Sequence, residues 1–204
     1  EVTFISFDEI KSRIQKLLDK RQYIEILQLS GGEPTLHPQF FEILKWCQEN
    51  PNIHVVMINT NGTKLLDTNF AERLKTIANI RKVHIYLKFN GPSSPAQSIL
   101  AGANFHTHEL RVLNRLAGIG ISTTLAMTVV RENLGDLWKV ALLGMSCPVV
   151  KGVNYQPRFG GGRIEGEFSL VDSGHVINPM IHQATRALNE NSIVPLPCGG
   201  PNCQ

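Results

Sequence analysis

Cysteine, aromatic residues and charge are all scarce in this sequence, and each scarcity removes a class of protein. Four cysteines in 204 residues (Cys47, Cys147, Cys198 and Cys203) are too few and too scattered for a disulfide framework. A reducing, cytoplasmic setting is therefore the expectation. Charged residues make up 18% and the net charge is only +3, which leaves no electrostatic footprint for nucleic acid or an anionic membrane surface. No apolar run reaches the ~20 residues needed to span a bilayer. The opening Glu1-Val2-Thr3 is not a basic and then apolar leader, and without Met it reads as the start of a processed or cut piece. What remains is a 42% hydrophobic chain, enough for one domain with a core and too short for a full eight-stranded βα barrel with additions.

Short apolar runs alternate with longer amphipathic ones. Ser6-Phe7-Asp8-Glu9 is a capping box with Ile5 and Ile10 placed to staple the helix start, and the helix carries Ile10, Ile14, Leu17 and Leu18. Ile24 to Leu29 is a strand candidate ending in a Ser-Gly-Gly-Glu-Pro turn. Pro38 opens the next helix, whose apolar face is Phe40, Phe41, Leu44 and Cys47, and Asn50-Pro51 stops it. The unit then recurs. Strands fall at Val55 to Ile58, Val83 to Leu87, Thr123 to Val130 and Val149 to Gln156. Helices fall around Phe70 to Ala78, through Leu110, Leu113 and Leu116, and from about Asp136, with Pro92 to Asn104 reading as loop. Val176 to Leu188 is a last helix candidate.

Five βα repeats with short turns argue for a parallel sheet. A doubly wound open sheet and a partial barrel of the triosephosphate-isomerase type both fit, and both place the working face at the C-terminal strand ends. The polar and Gly-rich segments fall there, at 30–35, 59–62, 88–91 and 154–163.

Ser30-Gly31-Gly32-Glu33-Pro34 is the sharpest signal. Two glycines at a strand end let backbone approach a ligand, and Glu33 supplies a carboxylate that can accept hydrogen bonds from an ammonium group. The chemistry suits a zwitterionic amino acid; a plain βα turn with a solvated Glu is the competing reading. A Gly-Gly-Glu-Pro run after a buried strand resembles the hallmark of the radical SAM superfamily. The longer run Leu27 to Pro38 is followed by Asn59-Thr60-Asn61-Gly62, Tyr86 to Gly91, Val153 to Pro157 and Pro195 to Cys203. Together they resemble the branch that contains archaeal tetraether lipid synthase and related methylases, over nearly all of the chain.

The resemblance implies a partial (β/α)6-type TIM barrel lacking its first strand, spanning residues 1–167, with a short C-terminal cap of helix and Cys-containing loop at 168–204. It implies S-adenosylmethionine as cofactor. Ser30, Gly31, Gly32, Glu33 and Pro34 would hold the methionyl amine, and Asn59, Thr60 and Asn61 would line the cofactor. Lys88 and Asn90 would meet ribose or carboxylate, and Asn154 and Gln156 would lie near adenine and substrate. A 4Fe–4S cluster fed by ferredoxin or flavodoxin would reduce the sulfonium. The resulting 5′-deoxyadenosyl radical would abstract hydrogen, for carbon–carbon bond formation or methylation of a lipid or pterin-like small molecule. No nucleic acid partner is implied.

Two departures stand out. The superfamily's Cys-x3-Cys-x2-Cys triplet is absent, and the chain reads as starting just after it. Without three thiolates no such cluster can be held by these residues. The fourth-strand motif of related sequences reads Gln-Phe-Asp-Gly, where Lys88 and Asn90 stand here. A partial enzyme and a catalytically silent relative both remain open, as does an ordinary phosphate-binding βα enzyme with Glu33 as base. Cys198 and Cys203 suit an auxiliary iron–sulfur cluster, or equally two unligated thiols in a terminal loop. Cys47 and Cys147 read as structural. Gly160 to Gly162 with Arg163 could bind a phosphate or carboxylate. His106 and His108 read as helix-start histidines rather than a metal pair.

Overall fold

The computed structural model describes residues 4–158 and 171–192. The expectations for Gly160 to Arg163, Cys198 and Cys203 lie outside the described residues.

The first helix, α1 (Phe7–Arg21), shows how local chemistry sets its ends. Ser6 Oγ accepts from the Glu9 backbone N–H at 3.2 Å, Asp8 and Glu9 sit in the first turn, and Lys20 and Arg21 sit in the last, all favourable to the helix dipole. The Glu9 carboxylate pairs with Arg13 one turn on. Ile14 and Leu18 are the buried positions, four residues apart on one face.

Five strands follow, β1 (Ile24–Leu29), β2 (Ile53–Thr60), β3 (Val83–Lys88), β4 (Ser122–Val129) and β5 (Val150–Pro157). They form a single sheet in the order β1-β2-β3-β4-β5, every neighbour parallel. Sequential order decides between the two topologies left open by periodicity. A doubly wound sheet reverses direction at a switch point; this one never does. Crossovers of one hand, added in one direction, put the intervening helices over the same face. Among the described residues the sheet is open at both edges, and it is wound as a partial barrel is.

The helix-covered face carries the core. Val56, Ile58, Ile85, Leu87, Leu125 and Met127 are essentially buried. They pack with Leu44 and Cys47 of α2 (Phe40–Glu49), Leu74 of α3 (Thr68–Ile77) and Leu137 and Val140 of α6 (Leu137–Ser146). Each large side chain so buried contributes roughly 1.5–3 kcal/mol over its exposed state. Val112, Leu113 and Leu116 of α5 (His106–Ile119) join the same cluster.

Two elements differ from expectation. Pro92 to Asn104 is not all loop: it contains α4 (Ser94–Ala101). Ser93 caps it, its Oγ accepting from the Ala96 backbone N–H, and Pro95 falls in the first turn, where a missing N–H costs nothing. The last α-helix among the described residues, α7, runs Ser173–Gln183 rather than to Leu188, and Thr185 and Arg186 follow at positive φ. Gln183 fixes α7 on the body: its Nε2 donates to the Leu134 carbonyl at 2.6 Å and its Oε1 accepts from Trp138 N–H at 3.1 Å.

No helix among the described residues is long and apolar enough to cross a membrane. Gly62, after β2, sits at φ +79°, where a Cβ would also overlap the Val112 side chain. Gly62→Ala is therefore expected to destabilise the fold by about 2–4 kcal/mol, read as a lower urea midpoint with unchanged slope.

Candidate functional site

Strand alternation that buries one row of side chains turns the next row to the uncovered face. Register aligns Gln28, Met57 and His84 across β1 to β3, and Asn59, Tyr86 and Thr124 across β2 to β4. Lys88, Ala126 and Asn154 align next, with Thr128 opposite Gln156. This face is a hydrogen-bonded polar lattice. Gln28 Nε2 donates to Asn59 Oδ1 at 2.8 Å, and His84 Nε2 lies 2.8 Å from Thr124 Oγ1. Burial pushes the His84 imidazole below its ordinary value, favouring the neutral ring. The Tyr86 hydroxyl accepts from Asn154 Nδ2 at 2.7 Å and Gln156 Nε2 at 2.8 Å. Those two bonds use its lone pairs, so its own O–H is left to donate.

The β1 turn stands over this lattice. Gly31 has φ +136°, a conformation that L side chains rarely adopt, and space beside Gly31 and Gly32 is open. Glu33 is not a free acceptor. Its Oε1 accepts from Thr35 N–H (3.2 Å), Thr35 Oγ1 (2.6 Å) and Thr60 Oγ1 (2.7 Å), and its Oε2 accepts from Asn61 N–H at 2.9 Å. Thr60 Oγ1 in turn accepts from Gly62 N–H at 3.0 Å. The carboxylate thus locks the β1 turn to the end of β2, with a lone pair of Oε2 still open to a further donor.

A groove of about 400 Å³ at these strand ends is lined by Ser30 to Glu33, Asn59 to Asn61, Tyr86, Lys88 and Gln156. So the structure gathers most of the expected site residues. Asn154 meets the groove through Tyr86. Pro34 begins a 3₁₀ turn, Pro34–Leu36. Asn90 does not face the groove: it is 1% exposed, with its N–H held by Glu109 Oε1 at 2.8 Å.

Asn90 belongs to a second cavity of about 270 Å³, whose lining includes Asn61, Lys88, Asn90, Gln97, His108 and Glu109. Glu109 is buried on α5, and its Oε2 accepts from Gln97 Nε2 at 2.9 Å. Burial pushes its carboxyl up to about 7, against the pull of its hydrogen bonds and of Lys88. Neither Tyr86 nor Glu109 stood out in sequence. Tyr86 had a signal in the His84, Tyr86, Lys88 alternation opposite Val83, Ile85 and Leu87. Glu109 had one too, since it shares the buried i, i+3, i+4, i+7 stripe with Val112, Leu113 and Leu116.

The sequence pattern of the Radical SAM superfamily matches residues 1–144. The chain belongs to the radical SAM superfamily. It is 28% identical over 205 aligned positions to the 7,8-dihydro-6-hydroxymethylpterin dimethyltransferase of Methanocaldococcus jannaschii, covering 96% of this chain and 39% of that protein. It is 27% identical over 133 positions to the mycofactocin maturase MftC of Mycobacterium ulcerans, covering 63% of this chain and 34% of that one. Among solved structures, Streptococcus suis SuiB bound to S-adenosylmethionine shares the fold, with TM-score 0.66, 16% identity, and coverage of 91% of this chain and 42% of that one. The chain thus spans about two fifths or less of these relatives.

The thiols described here do not fit a radical SAM cluster. Among the described residues no group of three His, Cys, Asp or Glu could hold a metal. Cys47 is buried in the core, with its thiol pushed up to about 12 by that burial, away from the thiolate a metal requires.

Two outcomes follow. Thr60→Val and Glu33→Gln, made singly and together, should show a coupling of about 1–2 kcal/mol in a double-mutant cycle of urea stability; additive losses would mean the clamp contributes nothing. Glu109 ionises near 4.5 when unfolded and near 7 when folded, so the fold holds its proton more tightly between those values. Stability should therefore fall as pH rises from 4.5 to 7, by roughly 3 kcal/mol, and Glu109→Gln should flatten that slope.

Proposed function

We propose that the open face binds S-adenosylmethionine and that the whole protein is a radical SAM enzyme acting on a pterin-like small molecule by methylation or carbon–carbon bond formation. The observation that carries the cofactor half is the groove itself. It combines open backbone at Gly31 and Gly32, a carboxylate with one site left, and hydrogen-bond donors from Asn61, Tyr86, Lys88 and Gln156.

In this reading the methionyl amine donates to Glu33 Oε2 beside the bond that this oxygen accepts from Asn61 N–H, and Lys88 faces the carboxylate or ribose. Tyr86 donates to a ring or hydroxyl acceptor, held in place by Asn154 and Gln156. Asn59 and Ser30 complete the wall, Asn59 Nδ2 reaching Ser30 Oγ at 3.5 Å. The glycines admit the ligand, and Thr60 acts at one remove by fixing Glu33. When bound and reduced by one electron, the cofactor supplies a carbon radical able to take hydrogen from an unactivated C–H bond; the protein's part is positioning and exclusion of water.

A segment bearing the superfamily's cysteine triplet has a place to dock. Among the described residues β1 pairs only with β2, and Leu17, Tyr23 and Ile26 stand exposed near its other edge. A further parallel strand there would cover them and set a cysteine loop beside the groove. Ferredoxin or flavodoxin is the proposed electron donor, the cytoplasm the proposed location, and residues past 167 a proposed cap. Support for the substrate half is the relation to the pterin dimethyltransferase, which extends over 96% of this chain.

The test uses full-length protein purified without oxygen. Iron and sulfide should accompany it, and S-adenosylmethionine with a reductant should yield 5′-deoxyadenosine. Tyr86→Phe and Gln156→Ala should each weaken cofactor binding about tenfold in calorimetry. Cofactor binding without iron would favour a silent relative; saturable binding of sugar phosphates alone would overturn both.

A further inference from the structure

Lys88 lines the groove on a long, flexible stem, and a ligand that met its ammonium would have to order that stem unless the protein had done so already. Two contacts do so. At the tip, Nζ donates to the Leu100 carbonyl at 3.3 Å, in the last turn of α4, where a cation also meets the negative end of the helix dipole. At the base, the chain runs straight into Phe89 and Asn90, both buried, and then Gly91 at φ +83°.

Both contacts lead back to Glu109. This buried α5 carboxylate takes the Asn90 N–H on Oε1 at 2.8 Å and receives the Gly91 N–H as well, which fixes the turn just beyond Lys88. Its Oε2 takes Gln97 Nε2 at 2.9 Å, and the same nitrogen donates to the Gly91 carbonyl at 2.9 Å. Gln97 lies on α4, one turn before Leu100. One acid therefore anchors both the strand end that carries Lys88 and the helix that receives its ammonium. His106 Nδ1, 3.7 Å from Oε2, and the positive charge of Lys88 complete its surroundings. The stripe that Glu109 shares with Val112, Leu113 and Leu116 is otherwise apolar, so the acid gives up burial energy there for the geometry it imposes. The Asn90 carbonyl is held separately, by Asn133 Nδ2 at 3.3 Å. With that second support, losing Glu109 loosens α4 and the N–H side of the turn without dissolving it.

We infer that Glu109 is a positioning residue for Lys88: through Asn90, Gly91 and Gln97 it sets where the ammonium stands at the groove, and so how tightly a ligand oxygen is held there. That the ligand is S-adenosylmethionine rests on the proposed function; the positioning of Lys88 does not.

The experiment uses the full-length protein with Glu109→Gln, Gln97→Leu, Lys88→Met, and each of the first two combined with Lys88→Met. Whichever way the new amide of Glu109→Gln sits, one of its N–H donors meets another donor, so a tie is lost. The first readout is competitive acetylation followed by mass spectrometry, with Lys16 of α1 as internal reference. Lys88 should react about threefold faster in Glu109→Gln and in Gln97→Leu, as a locally released side chain does. Gln97→Leu keeps the carboxylate, so a change there reports position rather than charge. The second readout is calorimetry with S-adenosylmethionine. Lys88→Met should weaken binding about tenfold and Glu109→Gln about fivefold, with the pair no weaker than Lys88→Met alone. A merely structural loss would multiply to about fiftyfold and leave the labelling of Lys88 where it was. Unchanged labelling in Gln97→Leu, or losses that multiply, would overturn the inference. If Glu109→Gln does not fold, Gln97→Leu with and without Lys88→Met decides in its place. If the unsubstituted protein does not bind S-adenosylmethionine, the cofactor reading fails, and the labelling alone decides whether Glu109 positions Lys88.

Discussion

A parallel strand must travel back before its neighbour can begin, and in this chain every return passes over the same face of the sheet. That constraint sorts the whole molecule. It follows from the unbroken order β1 to β5 and from the fixed hand of βα crossovers. The covered face must be apolar, and it holds Ile58, Ile85, Leu87 and Leu125. The uncovered face is then free to be polar, and it is, from Gln28 on the first strand to Gln156 on the last. A doubly wound sheet of the same strands would have needed apolar residues on both faces. The site is thus a consequence of winding direction before it is a consequence of any motif.

Within that frame the Glu33 carboxylate explains why two motifs far apart in sequence act as one. Gly31 to Pro34 ends β1, and Thr60 to Gly62 ends β2. The acid from the first receives a hydroxyl and a backbone N–H from the second. Hydrogen bonds to an ionised acceptor are among the stronger ones available. They hold two loops that would otherwise present unpaired backbone at the mouth of the groove. Thr60 looks toward the helix side by register, opposite Leu87, and is buried. Its hydroxyl is satisfied there by Glu33 and Gly62, which is why a polar residue is tolerated in the core row.

The strands were legible because period-2 apolar runs end at glycine-rich turns, and the observed boundaries fall within two residues of the expected ones. Winding direction was not legible, since adjacent pairing and its sequential order are tertiary facts. α4 was missed because Pro and Ser punctuate loops and helix starts alike; only the Ser93 cap shows which role they play. In the site, backbone-driven features read well: Gly31 is at positive φ, as a ligand-approach turn requires. Features that depend on partners read poorly. Glu33 was legible as a carboxylate but not as one already engaged. Asn90 was legible as a strand-end polar residue but not as a buried one, because a parallel strand's end gives no hint of the helix that will close over it. Glu109 lay hidden in a helix stripe, where an acid interrupts an otherwise apolar spacing.

The departure at Lys88 and Asn90 from the related Gln and Asp gains a physical account from Glu109. An Asp at position 90 would set a second carboxylate in a cavity that already buries one, and like charges so placed cannot both ionise cheaply. Asn removes that charge while its N–H still serves Glu109. Lys88 adds a positive charge whose attraction opposes the burial penalty on the same carboxyl. The two differences together shift the local charge by two units in the direction that accommodates a buried acid. On electrostatic grounds they form one adjustment around Glu109, rather than two independent changes. The groove residues on the other side of Lys88, from Ser30 to Gln156, remain in place, so the changed pair alters what lies beside the groove more than the groove itself.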